Sequence, residues 1–251
     1  MFAGVDACKG GWIVAKNATW PCREVPTLAV CPDFRTMLAL TADCRRVAVD
    51  IPIGLPSGRH LRTCDVEAKK LLSGHNTSAL FYAPPRETLS AESPREFQSL
   101  HRKFRGTGAG LPVWGFLPKV KEANASMTTA LQKRVIEFHP ELTWFRMAGE
   151  NLESKHTPEG IAERKKILRK FVPDLERVLR WKDFLGRAAA HDDLLDALIG
   201  IGVARASLRD SPYHLPARRS ETDKTGLRME IWYRSAFSAN VAAGSLHTTR
   251  K

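Results

Sequence analysis

Residues 2–6, Phe-Ala-Gly-Val-Asp, and residues 47–52, Val-Ala-Val-Asp-Ile-Pro, are short apolar runs that each carry one aspartate at the same depth. Each predicts a buried strand with a carboxylate near its C-terminal end. Alternation in the second run puts Ala48 and Asp50 on one face and Val47, Val49 and Ile51 on the other. In the first, Gly4 and Asp6 share a face. A strand apolar on both faces belongs in the middle of a parallel segment. If the two are neighbours, Asp6 and Asp50 come within reach of one ion. A carboxylate in such a place is costly to desolvate unless it is paired or binds a cation.

Around these runs the chain reads as an α/β protein. Strands over 1–7 and 11–16 are split by Cys8-Lys9-Gly10, and the glycines at 10 and 11 suit a hairpin. A third strand is expected over 25–31, then a helix from Pro32-Asp33 to Asp43 ahead of the 47–51 strand. Pro52, Gly54 and Pro56 stop that strand abruptly. Strand character returns over 134–139, and Pro140-Glu141 closes it. A three-stranded meander followed by a crossover helix and a parallel strand makes a mixed sheet.

Residues 53–130 read as a helical insertion after the fourth strand, inside a domain of residues 1–209. Helices are expected near 62–73 and 94–104, the second opened by Ser93-Pro94-Arg95-Glu96, a capping box with proline at the first helical position. Gly106-Thr107-Gly108-Ala109-Gly110 follows no strand and precedes no Gly-Lys-Ser/Thr, so it reads as a connector. Thr157-Pro158-Glu159 caps a basic helix running to about Lys170, and helices over 174–186 and 192–208 follow. A C-terminal extension, 210–251, holds one strand-like run, Leu227 to Tyr233, and reads as frayed beyond Phe237. No internal repeat is present.

Composition bounds the possibilities. With 251 residues, 43% hydrophobic and 26% charged, the chain suits one elaborated domain or two small ones. Asp6 and Lys9 near the start speak against a secretory signal, and no apolar run approaches the roughly 18 residues of a membrane span. Five cysteines, odd in number and without a C-x-x-C pair, support neither a disulfide framework nor a zinc site. Reduced thiols in a cytoplasm are expected. Lys and Arg total 39 against 27 acidic residues, a formal charge of +12. That excess points to a nucleic-acid partner, with a solvated basic surface as the plain alternative.

A third acidic segment, His191-Asp192-Asp193-Leu194-Leu195-Asp196-Ala197-Leu198, opens an apolar helix. Leu194, Leu198, Ile201 and Arg205 form a stripe, and the aspartates lie off it. Capping and the helix dipole account for Asp192 and partly for Asp193, but not for Asp196. Two strands and a helix that bring Asp6, Asp50, Asp193 and Asp196 to one point form a hard-metal site suited to phosphate chemistry. Glu137-Phe138-His139-Pro140-Glu141 is a second polar set. Glu137 and His139 share a strand face and would extend the metal site or act as a base, unless they form a polar edge facing solvent.

These residues resemble domain-of-unknown-function family 429, described as predicted nucleases of the ribonuclease-H-like superfamily. The likeness rests on Gly4-Val5-Asp6 with Gly10-Gly11-Trp12, on Val49-Asp50-Ile51-Pro52-Ile53-Gly54-Leu55-Pro56, and on Gly58-Arg59 with Cys64-Asp65. It continues through Phe81, Pro84 and Arg86, through Pro118-Lys119-Val120 and Glu122, and through Glu137 to Glu141. Lys155, Gly160, Arg164 and Asp193-Leu194-Leu195-Asp196-Ala197 complete it. The resemblance implies a ribonuclease-H-like, mixed five-stranded sheet flanked by helices. In Holliday-junction resolvases of that superfamily a strand-one Asp, a strand-four carboxylate and a last-helix acidic pair hold two divalent ions. Asp6, Asp50, Asp193 and Asp196 match those places. The insertion is no resolvase feature, and His139 and Glu141 have no clear counterpart there.

The expected activity is therefore metal-dependent hydrolysis of nucleic-acid phosphodiester bonds, with two Mg²⁺ or Mn²⁺ ions on the four aspartates and Glu137 and Glu141 beside them. Arg59, Arg86, Lys119, Lys155 and Arg164 are candidates for phosphate contacts. A nucleic-acid-binding protein without catalysis needs only the basic faces. A small-molecule phosphotransferase on the same core is a third possibility, opposed by the absence of a duplicated core. The insertion leaves the sheet at the carboxylate end of the fourth strand, where ligand crevices of α/β sheets lie. It is expected to form a lid, with Arg59 and Lys119 nearest the metals and Phe81, Tyr82 and Trp114 stacking on bases.

Overall fold

The computed structural model describes residues 1–72, 80–181, 183, 186–208 and 213–235. Parts of the helix expected over 174–186 and the fraying expected beyond Phe237 lie outside them. Strands β1 (Phe2–Cys8), β2 (Gly11–Asn17) and β3 (Thr27–Cys31) form the meander, joined by the tight turn at Gly10-Gly11. Helix α1 (Phe34–Leu40), capped by Asp33 through the Thr36 N–H at 2.7 Å, crosses to β4 (Arg46–Val49). β4 lies parallel to β1 on one side and to β5 (Val135–Glu137) on the other. The chain is an α/β protein with a five-stranded mixed sheet in the order β3-β2-β1-β4-β5.

The two faces of the sheet carry separate cores. Phe2, Ile13, Ala15, Ala48 and Ile136 point to one, where α5 (Pro140–Ala148), α6 (Pro158–Leu168), α7 (Leu175–Leu179) and α8 (His191–Ala206) cover them. Ala3, Val5, Val14, Val47, Val49 and Val135 point to the other, beneath α1 and part of the insertion. The insertion carries α2 (Thr63–Leu71), a 3₁₀ turn over Arg86–Ser90, α3 (Pro94–Arg105) and α4 (Leu111–Ser126). Ser93 caps α3 by accepting the Glu96 N–H at 3.2 Å, as its sequence predicts.

Three helices depart from the sequence reading. Gly115 and Pro118 punctuate α4, yet it runs 16 residues because Val120, Ala123 and the following Met127 cover the outer sheet face. Tertiary burial here overrides weak local propensity. Pro140 does not merely end β5; it sits at the first position of α5, where its missing N–H costs nothing. α8 is also broader in its burial than a single stripe. Residues Leu194 to Ala204 are all buried, because this helix runs across the middle of the sheet face.

The C-terminal extension is part of the fold through Ser235. Short strands β6 (His214–Leu215) and β9 (Ile231–Trp232) pair, as do β7 (Glu221–Thr222) and β8 (Arg228–Met229). Trp232 also bridges to Phe138 just past β5. Asp223 accepts the Leu55 N–H at 3.1 Å and pairs with Arg86, which ties the extension to the insertion. All five cysteines are free. No helix among the described residues is long and apolar enough to cross a membrane.

Candidate active site

The parallel register aligns Gly4 with Ala48, so Asp6 and Asp50 fall side by side two residues further on, and the Asp50 N–H still bonds the Val5 carbonyl at 2.9 Å. Both aspartates take the face covered by α8. That helix comes unusually close. A Cβ placed on Gly4 would lie 2.0 Å from the Ala197 carbonyl oxygen, and one on Gly200 would lie 2.8 Å from the Gly4 Cα. Only glycine at residue 4 lets the α8 backbone rest on β1. The close approach delivers Asp196, one residue before Ala197, to the side of Asp6.

The hydrogen bonds divide these carboxyls into two kinds. Asp196 is fully buried and satisfied: Trp144 Nε1 donates to its Oδ1 at 2.6 Å and Lys155 Nζ donates to its Oδ2 at 3.1 Å. Asp193 accepts the Ala190 N–H at 2.8 Å and so caps α8. Among the described residues, Asp6 receives only the neighbouring Ala7 N–H, at 2.8 Å. No donor among the described residues reaches the Asp50 carboxyl.

Electrostatics follow from that shortage. Burial first, then Asp50 and Asp196, push the Asp6 carboxyl well above the usual range. Burial and Asp196 push Asp50 up to about 8, against the pull of Lys155. Burial also raises Asp193. Lys155 responds in the opposite sense. Burial opposes its charge, but Asp196, Asp6 and Asp192 outweigh that and hold the ammonium charged far above neutral pH. It also lies 3.4 Å from Asp192.

The second polar set adjoins the centre, with Glu137 and His139 lining the cleft beside Asp50, and its carboxylates are held by buried ion pairs. Alternation along β5 sends Glu137 to the face opposite Asp6 and Asp50. There it accepts from Arg62 Nη1 and Nη2, each at 2.7 Å, and from the Ile53 N–H at 2.7 Å. Arg62 also grips Asp65, and the trio is buried. Glu137 thus anchors the start of the insertion, with its carboxyl raised by burial to about 7. Glu141 faces α8 but is clamped by Arg164 Nη2 at 2.9 and 3.0 Å.

The predicted phosphate contacts separate in the same way. Arg164 has 0% side-chain exposure, and Arg86 is paired with Asp223, so both hold the fold. Arg59 is exposed. Lys119 pairs with Glu122 at 3.0 Å and lies over the Trp12 ring, so neither makes an ion pair with the four aspartates. Lys155 alone of the five meets the acidic centre. Sequence reading gave no role to Trp144 or Arg62; the i, i+3 spacing of Arg62 and Asp65 is the signal available for that buried pair.

Two depressions flank the centre. A cleft of about 310 Å³ opens beside Asp50, walled by Phe81, Tyr82, Pro84, Val113, Phe116 and His139 among others. The insertion therefore contributes one wall to the space by Asp50, Val113 and Phe116 of α4 included, while Val120 and Ala123 of α4 pack on the sheet. A shallower hollow beside Asp193 is edged by Lys9, Arg187 and His191.

The fit to a divalent ion is uneven. Asp6 and Asp50 offer open oxygen lone pairs of the hard type that Mg²⁺ and Mn²⁺ prefer. Asp196 has both oxygens committed, and no group of three or more His, Cys, Asp or Glu is arranged to hold a metal among the described residues. The family described as protein of unknown function (DUF429) matches residues 4–221. Comparison with curated proteins gives no match, and comparison with solved structures gives none either.

Proposed function

Since the chain belongs to family DUF429, we propose that it is a metal-dependent phosphodiesterase acting on nucleic acid, built on a ribonuclease-H-like core. One observation carries this reading. Asp6, buried, and Asp50, half-buried, stand side by side on adjacent parallel strands, mutually repelling and short of donors. Such a doublet calls for a cation. The acidic helix lying across those strands supports the likeness to ribonuclease-H-like nucleases.

Asp6 and Asp50 would hold Mg²⁺ or Mn²⁺, and Asp193 and Asp196 are the donors a second ion would need. A bound ion supplies an activated water and charge stabilisation at the leaving oxygen. The protein's own residues do the rest. Trp144 and Lys155 fix Asp196, and Arg164 fixes Glu141. Lys9 and Arg187 are placed to meet phosphate oxygens beside Asp193. Phe81 and Tyr82 give an unpaired base an aromatic wall near Asp50.

Purified protein is expected to cleave DNA or RNA in Mn²⁺, and Asp6→Asn or Asp50→Asn to lower the rate at least about 100-fold. Cleavage surviving both substitutions would overturn the proposal. A second reading, nucleic-acid binding without catalysis, is favoured by the lack, among the described residues, of a ready-made group of three ligands. It predicts binding that weakens steeply with salt and is indifferent to Mn²⁺.

A further inference from the structure

The cleft beside Asp50 lies where two parallel strands end. Asp50 and Pro52 follow β4, Glu137 closes β5, and His139 comes just after it. In open α/β sheets the crevice outside the carboxyl ends of the strands is where ligands bind. At about 310 Å³ the cleft has the size of a small ligand site. The insertion supplies its aromatic walls. Phe81 is 53% exposed, and Tyr82 and Phe116 are half-buried. Rings held at a cleft rather than inside a core gain from a flat apolar partner.

Charge around the cleft is divided. Lys69 Nζ lies 4.4 Å from the centroid of the Tyr82 ring. Arg105 Nη2 donates to the Ala83 carbonyl at 2.8 Å, and its Nη1 donates to the His60 carbonyl. A ring and carbonyl oxygens solvate these cations without neutralising them, and neither makes an ion pair among the described residues. The carboxylates that line the cleft are Asp50 and the Arg62-bound Asp65 and Glu137. They accept from N–H groups but repel phosphate, so a phosphate belongs on Lys69 and Arg105. We propose that the cleft takes one unpaired base of a single-stranded nucleic acid, its face on Phe81 and Tyr82, its N–H edge toward the carboxylates, and the adjoining phosphates on Lys69 and Arg105. A paired base cannot enter, because its neighbours cover both faces and its partner holds the N–H edge. The protein thereby selects single strands over duplex. This rests on the nucleic-acid part of the reading above and not on its metal.

Fluorescence anisotropy on the full chain in chelator tests it. Labelled oligothymidylate and oligouridylate are offered alone, paired to their complements, and as abasic backbones of equal length. The better bound strand is expected to exceed its duplex and its abasic backbone in affinity by about 10–100-fold, the gain of one stacked base. Phe81→Ala is expected to cost the strand at least about 5-fold and leave abasic binding unchanged, while Phe81→Tyr keeps the gain. Phe81 is exposed, so neither change threatens the fold. Lys69→Gln is expected to weaken strand and abasic backbone alike. Duplex or abasic binding equal to that of the strand, or full affinity in Phe81→Ala, would overturn the proposal, and cleavage in Mn²⁺ would then leave the phosphodiesterase reading standing. Thymidine or uridine monophosphate bound as tightly as the strand would overturn it too, marking a site for a free nucleotide. Strand-selective binding without cleavage in Mn²⁺ would support the proposal and remove the phosphodiesterase reading. No binding of any of these nucleic acids would remove both.

Discussion

Asp50 shows how one residue couples fold to pH. Unfolded, its carboxyl ionises near 3.8; folded and without a cation, near about 8. Between those values the folded state holds the extra proton, so stability declines as pH rises through the window and levels off above it. Asp50→Asn removes that penalty. At pH 8, without divalent ions, the variant should melt higher than wild type by roughly 2–10 °C, from about 1–3 kcal/mol. At pH 4 the two should nearly coincide. Thermal melts at both pH values check this, and an Asp50→Asn variant less stable at pH 8 would show that the carboxylate already has a partner. Adding Mn²⁺ should reverse the order, since it favours the ionised wild-type side chain.

At the scale of elements, the contact of α8 with β1 is what assembles the centre. Gly4→Ala drives a methyl into the Ala197 carbonyl, which is helix backbone and cannot step aside. The substitution should cost more than about 3 kcal/mol or prevent folding, beyond the usual range for overpacking. Gly115→Ala is the contrast: its Cβ meets nothing within 4 Å at an exposed position of α4, so a gain of about 0.5–1 kcal/mol is expected. Urea unfolding of both variants measures the difference, and near-equal stabilities would deny the close approach. The elements themselves were unevenly legible. β1, β4 and the Ser93-capped helix carry local signals: alternation, a capping box, a proline stop. α4 carries none, because Gly115 and Pro118 argue against a helix that only the sheet beneath it stabilises.

Across the whole molecule, the carboxylates of the candidate site are readable from sequence and the partners that hold them are not. Asp6 and Asp50 announce themselves as charges in apolar runs. The bond from Lys155 to Asp196 joins residues 41 apart, and that from Arg62 to Glu137 spans 75; contacts of that reach leave no local pattern. The same blindness hides how the basic residues of the insertion are held. Its aromatic residues Phe81 and Tyr82 do wall the cleft by Asp50, while Arg59 is exposed and Lys119 is held by Glu122 over the Trp12 ring. The charge of +12 has an acidic centre within it, which is the arrangement a polyanion-cleaving protein needs: broad attraction outside, cation-holding carboxylates inside. The claim on which all of this turns is that Asp6 and Asp50 bind a divalent cation. Anomalous diffraction from a crystal soaked in Mn²⁺ tests it most directly. The account predicts one strong peak bonded by both carboxylates, whereas a soaked crystal with no density there, or with Mn²⁺ held only elsewhere, would contradict it.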